Sequence, residues 1–191
     1  MTHPGPPRQV LLFSGHLVDA PDRPQPRFPA AMVPAAAAAI GRVLDDLGAG
    51  PPDLALTQGA AGGDLLFAEA CVERGLQVQL LLPLAEPEFV EQSILPVSDG
   101  PAWHARWRAL LPRLGAALQV LPEAAALPGS NAFERCNEWL LATALAQGAE
   151  RLRFICLWDG GGGDGPGGTA HMVEQVKLRG GRVCWIDTRR L

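Results

Sequence analysis

Leu54-Ala55-Leu56-Thr57-Gln58-Gly59-Ala60-Ala61-Gly62-Gly63-Asp64, continued by LLFAEACVERG to Gly75, sets a strand, a turn and a helix in direct succession. The opening four residues form a short apolar run bounded by proline and polar residues, as a strand buried on both faces of a parallel sheet reads. The small residues after it cannot shield the backbone. They leave N–H groups uncovered where a helix begins, and there the helix dipole favours an anion. The last eleven residues then hold an apolar segment of helix length that ends in glycine.

The same strand-then-helix unit recurs along the chain. Short apolar runs lie at Gln9 to Phe13, Leu54 to Thr57, Val78 to Leu82, Leu118 to Leu121, Leu152 to Trp158 and Arg182 to Ile186. Helix-length segments separate them: Pro29 to Leu47, Gly63 to Arg74, Pro87 to Ile94, Trp103 to Leu114, Asn131 to Gln147 and Ala170 to Arg179. This alternation predicts an α/β, Rossmann-like, doubly wound and mainly parallel sheet of about six strands, with helices on both faces and right-handed crossovers. Ligands of such sheets bind beyond the carboxyl ends of the strands.

Bulk properties fit one globular domain over residues 1–191, with the proline-rich residues 1–8 expected to be flexible. At this length roughly 70% of the unfolded chain's surface can be buried. Hydrophobic residues make up 48% and charged residues 19%, far from the signature of disorder. A net charge of −4 supplies no overall attraction to long nucleic acid or to an anionic membrane. The four cysteines, Cys71, Cys136, Cys156 and Cys184, form no C-x-x-C pair and sit in apolar runs, which predicts reduced, buried thiols. No signal-like segment opens the sequence, and no apolar run approaches the roughly 18 residues that span a bilayer. A cytoplasmic location is expected.

Three turns fall on the same predicted edge. The first is Ser14-Gly15-His16, where glycine admits a ligand close to the backbone and the serine and histidine side chains offer hydrogen bonds. In the second, Gly59 to Asp64, the glycines Gly59, Gly62 and Gly63 expose N–H groups, while Asp64 either caps the helix or faces ribose hydroxyls. Glu69, in mid-helix among apolar neighbours, needs a partner or exposure. The third runs from Trp158-Asp159-Gly160 to Gly167-Gly168-Thr169 and presents bare N–H groups and a hydroxyl at the start of the last helix. It has neither the lysine of a Walker motif nor the spacing of a Rossmann fingerprint. Trp103, Arg106 and Trp107 share one side of a helix, so that a cation and flat rings could meet a phosphate and a base. No metal-ligand spacing, cofactor motif or nucleophile elbow is present, so neither a metal nor a cofactor is expected.

These residues resemble the SLOG superfamily, the Rossmann-like group that includes the Lonely Guy phosphoribohydrolases and the DNA-processing protein A fold. The likeness rests on Ser14-Gly15, on GAAGGDLLFAEACVERG and on WDGGGGDGPGGTAHMVEQV. It implies binding of a nucleotide or nucleotide-derived ligand at the glycine turns, frequent homo-oligomers and, for a sensing role, a separate effector protein. In the hydrolases of the group a late P-G-G-x-G-T-x-x-E motif supplies a glutamate beside an arginine of an M-H-x-R-K segment. Trp103-His104-Ala105-Arg106-Trp107 is similar to that segment, which makes Arg106 a candidate. The late motif departs, because Met172 stands three residues after Thr169 and Glu174 lies two further on, roughly 200° around the helix. The readings that follow are nucleotide-ligand binding or sensing; a nucleoside-monophosphate N-glycosidase using Arg106 with Glu69 or Glu174; and a scaffold without catalysis.

Overall fold

A computed structural model describes residues 5–122, 131–161 and 168–191. β1 (Val10–Gly15) is followed by α1 (Val33–Asp46), β2 (Leu54–Thr57), α2 (Gly63–Glu73) and β3 (Gln77–Leu82). Two helices, α3 (Glu86–Ser93) and α4 (Gly100–Leu114), lead to β4 (Leu118–Val120). The chain closes with α5 (Ala132–Leu145), β5 (Leu152–Trp158), α6 (Thr169–Leu178) and β6 (Arg182–Asp187).

The strands form one sheet in the order β4-β3-β2-β1-β5-β6, and every pairing is parallel. A parallel strand covered on both faces shows no polar alternation, which is why β1 and β2 read as continuous apolar runs, whereas the edge strands β4 and β6 keep exposed polar residues. Its residues nevertheless divide between two cores. Leu11, Phe13, Ile155 and Leu157 pack under α1, α2, α3 and α4, whereas Val10, Leu12, Phe154 and Cys156 pack under α5 and α6. The division follows from handedness: the chain moves outward from β1 to β4, then returns past β1 to β5 and β6, and right-handed crossovers put the helices of the two journeys on opposite faces. The order reverses between β1 and β5. There the connections from the two strands leave in opposite directions and open a crevice.

Two helix starts differ from the sequence expectation by more than two residues. α1 begins at Val33, because Ala30–Met32 forms a separate single turn of 3-10 helix, and Pro34 suits the first turn of the α-helix proper. α4 begins at Gly100 rather than Trp103, since Pro101 fits its first turn in the same way and Asp99 before it takes a left-handed conformation. At the amino end of the sheet, Arg8 donates to both carboxylate oxygens of Asp53 at 3.0 and 2.7 Å, fixing the start of β1 to the start of β2. Among the described residues no helix is long and apolar enough to cross a membrane.

Candidate functional site

The carboxyl ends of β1, β2 and β5 bring Ser14-Gly15-His16, the turn from Gln58 to Asp64, and Asp159 to one edge, at the reversal of strand order. A cleft of 150 Å³ opens there, lined by Ser14, Gly15, Gln58, Asp64, Asn137, Gly168 and Thr169, with Phe133 and Ser93 at its margin. Sites for whole small molecules usually exceed roughly 300 Å³, so this volume suits one polar group of a ligand, the rest lying outside.

The start of α2 is closed to an external anion by its own side chain. Asp64 is buried, and its carboxylate receives the backbone N–H groups of Ala60, Gly15 and Gly59. Burial nevertheless pushes the carboxyl up to about 7; the Thr57 hydroxyl and those N–H groups oppose the shift. The Thr57 hydroxyl is itself fully buried beside this carboxyl. Other donors of the turn are also engaged, Ala61 N–H with the Ser93 carbonyl at 2.9 Å and Gly63 N–H with the His16 carbonyl at 3.1 Å.

Gly62 is required by the packing of the backbone around it. It bridges Leu17 where the segment after β1 crosses the turn after β2, at φ +129°, and a Cβ there would stand 2.7 Å from the His16 carbonyl oxygen and 2.8 Å from the Val18 nitrogen. Gly59, at φ +82°, makes room for Trp107, whose ring would lie 2.9 Å from a Cβ. Both glycines serve close approach of protein to protein.

At the start of α6, Gly168 is the cap residue and supplies no side chain, the first turn holds no acidic residue, and Thr169 begins the helix. The Thr169 hydroxyl lies 3.1 Å from the Ser14 hydroxyl, so two residues far apart in sequence place a pair of hydroxyls at this helix start. Gly167 lies outside the described residues.

His16 and Asp159 meet across β1 and β5. The Asp159 N–H donates to His16 Nε2 at 3.2 Å, and Asp159 Oδ1 lies 3.3 Å from the same nitrogen. Burial holds the imidazole below its ordinary pKa, against the pull of Asp159, so the neutral ring accepts. Burial pushes the Asp159 carboxyl up, but the Gly161 N–H, at 2.9 Å, and the His16 ring outweigh it and leave the pKa below the usual value. Gly160 follows in a left-handed conformation beside Trp185.

Arg106 and Glu69 are brought together, but not into this cleft. Arg106 on α4 donates through Nε to Glu69 Oε1 of α2 at 3.0 Å and makes a second bond to Oε2, while its guanidinium lies over Trp103 at 4.4 Å. Trp103 and Trp107 are buried in the helix-side core. Glu174 is exposed on the second turn of α6, and Met172 is buried against β-strand residues. Neither Glu69, Arg106 nor Glu174 lines the cleft.

The structure adds polar residues that sequence reasoning did not select. Gln58 donates to the Asn137 side-chain carbonyl at 2.8 Å, joining the end of β2 to α5, and both are buried. Arg27 lies within electrostatic reach of His16 and Asp159, and burial lowers its pKa. Nothing local in the sequence marks these pairings, because each depends on how separate strand ends converge. Among the described residues no three His, Cys, Asp or Glu side chains are grouped as a metal site would need. All four cysteines are free, and burial pushes the Cys136 and Cys156 thiols up to about 12.

No family model matches the chain, and no curated protein matches it. Among solved structures the chain is similar to the Moco carrier protein from Chlamydomonas reinhardtii, with 15% identity, coverage of 95% of this chain and 91% of that one, and a TM-score of 0.37.

Proposed function

We propose that this chain is a single SLOG-type domain that binds a nucleotide or nucleotide-derived phosphate ligand at the β1/β5 crevice, as a binding or sensing protein in the cytoplasm. The phosphate lies at the start of α6, against Gly168, Thr169 and Ser14, with Asp64, Gln58 and Asn137 bounding the cleft on the β2 side. The observation that carries this reading is the Ser14–Thr169 hydroxyl pair at a helix start that has, among the described residues, no capping side chain and no acidic residue in its first turn. There the helix dipole favours an anion. The α2 start, by contrast, already holds a carboxylate of its own. Homo-oligomerisation and a separate effector protein belong to the same proposal.

One observation favours a second reading, N-glycosidase chemistry on a nucleoside monophosphate. Asp64 lines the cleft and burial brings its carboxyl to about 7, which suits general acid-base work near neutral pH better than Glu69, already paired with Arg106, or the exposed Glu174.

The two readings part in a thermal-shift series with ribose 5-phosphate, AMP, ADP-ribose and cyclic AMP, each sample being analysed for released base. Saturable stabilisation without base is the expected result, since a ligand that prefers the folded state must raise its stability. Release of base that Asp64→Asn abolishes and Glu69→Gln spares would establish the enzyme. No stabilisation and no turnover across the series would leave a scaffold without a ligand.

A further inference from the structure

Trp185 is half exposed at 50%, on the edge strand β6. Its ring lies 5.8 Å from that of Trp158, at an interplanar angle of 44°. Both indole N–H groups are already engaged: Trp185 donates to the Trp158 carbonyl and Trp158 to the Gly161 carbonyl, each at 2.9 Å. The rings are therefore held in place with their polar atoms satisfied, and what remains for another molecule is π surface. Arg189 flanks them, its guanidinium 5.9 Å from the Trp185 ring, and is oriented by two bonds to Asp187 at 2.8 and 2.7 Å.

The register ties this surface to the crevice. Ser14 is paired with Cys156, and Cys156 with Trp185, so the three side chains point to the same face of the sheet, the one α6 covers. Two strand spacings separate Ser14 from Trp185, about 10 Å, a span comparable to a nucleoside monophosphate. The cleft itself cannot take the ring of such a ligand, because Gln58 and Asn137 close it on the β2 side. The other pairing of tryptophan with arginine, Trp103 and Arg106, is closed too, its arginine bound to Glu69 and its ring buried.

We propose that Trp158, Trp185 and Arg189 form a stacking shelf for a planar heteroaromatic ring, the base of the ligand whose phosphate lies at the start of α6. Fixed indole faces and a flanking cation take such a ring with little ordering cost. An edge strand that exposes a large aromatic also invites association, and a bound base covers it. The shelf rests on the phosphate position proposed above, and the test separates the two.

AMP and ribose 5-phosphate are titrated calorimetrically into the full chain and into Trp185→Leu and Arg189→Ala, with melting curves to establish that each variant is folded. Stacking on an aromatic side chain predicts that AMP binds at least about fivefold more tightly than ribose 5-phosphate, and that Trp185→Leu removes the difference while ribose 5-phosphate binding is unchanged. Arg189→Ala reduces the difference in part. Equal affinities for the two ligands, or an AMP preference that survives Trp185→Leu, would overturn the shelf and leave the phosphate site standing. Failure of ribose 5-phosphate and AMP alike to bind the unmodified chain would overturn the phosphate site and the shelf with it.

Discussion

Asp64 shows how one residue can occupy the place a ligand was expected to take. As a sequence feature it stood where an anion-binding turn meets a helix, and its carboxylate does accept from the turn's N–H groups. Its pKa, raised to about 7, lies above the unfolded value of 3.8, so the folded state holds a proton that the unfolded state has lost between those limits. The resulting stability is complete below about pH 4 and is lost as pH rises through 7, a difference of about 4 kcal/mol at 1.36 kcal/mol per pKa unit. Urea unfolding at pH 5.5 and 8.5 should show the part of this loss that falls above pH 5.5, about 2 kcal/mol, for the unmodified chain and a much smaller one for Asp64→Asn; an unaltered pH profile in the variant would mean that Asp64 does not titrate in this range. Gly62 makes the complementary case. Gly62→Ala places a methyl against the His16 and Val18 backbone at a positive φ and should cost at least about 2 kcal/mol in the same urea measurement. The sequence marked Gly62 as important but gave no sign of its crossing with Leu17, which is formed by a distant segment.

Among the elements, strands were the most legible. Val10 to Phe13 are apolar without interruption, and Leu152 to Trp158 are broken only by the half-buried Arg153, because both faces of these strands are covered. Helix starts were less so, as Pro34 and Pro101 show. The site was legible only as far as each turn could be read alone: Ser14 and Thr169 were both selected, but their contact depends on β1 lying beside β5. Asn137 gave no signal at all, being one polar residue in the middle of α5. The α6 start yields a prediction in which stability and binding move in opposite directions. Thr169→Asp puts a negative charge on the first turn, which complements the helix dipole by about 0.5 kcal/mol and repels a phosphate. Its melting temperature should match or exceed that of the unmodified chain, while stabilisation by ribose 5-phosphate disappears. Retained ligand stabilisation would move the phosphate away from α6.

For the molecule as a whole, the reversal of strand order explains why the candidate residues lie where they do. Connections leave β1 and β5 toward opposite faces, so the space between their ends is left unfilled by either helix layer, and whatever polar groups the turns carry converge on it. The topology also separates the candidates. Arg106 and Glu69 belong to the layer of α2 and α4, paired with each other, whereas Ser14, Thr169 and Trp185 lie on the face of α5 and α6. The alternation of strands and helices in the sequence established the layers; it could not assign Arg106 to one face and Thr169 to the other, since that depends on the order in which strands join the sheet. The central claim is that a phosphate ligand binds at the β1/β5 crevice. It is tested most directly by titrating ribose 5-phosphate into isotopically labelled protein and following the backbone amide resonances. The account predicts that shifts concentrate at Ser14, Gly15, Gly168, Thr169 and Ala170, with smaller ones at Asn137; shifts centred on Glu69 and Arg106, or none at saturating ligand, would contradict it.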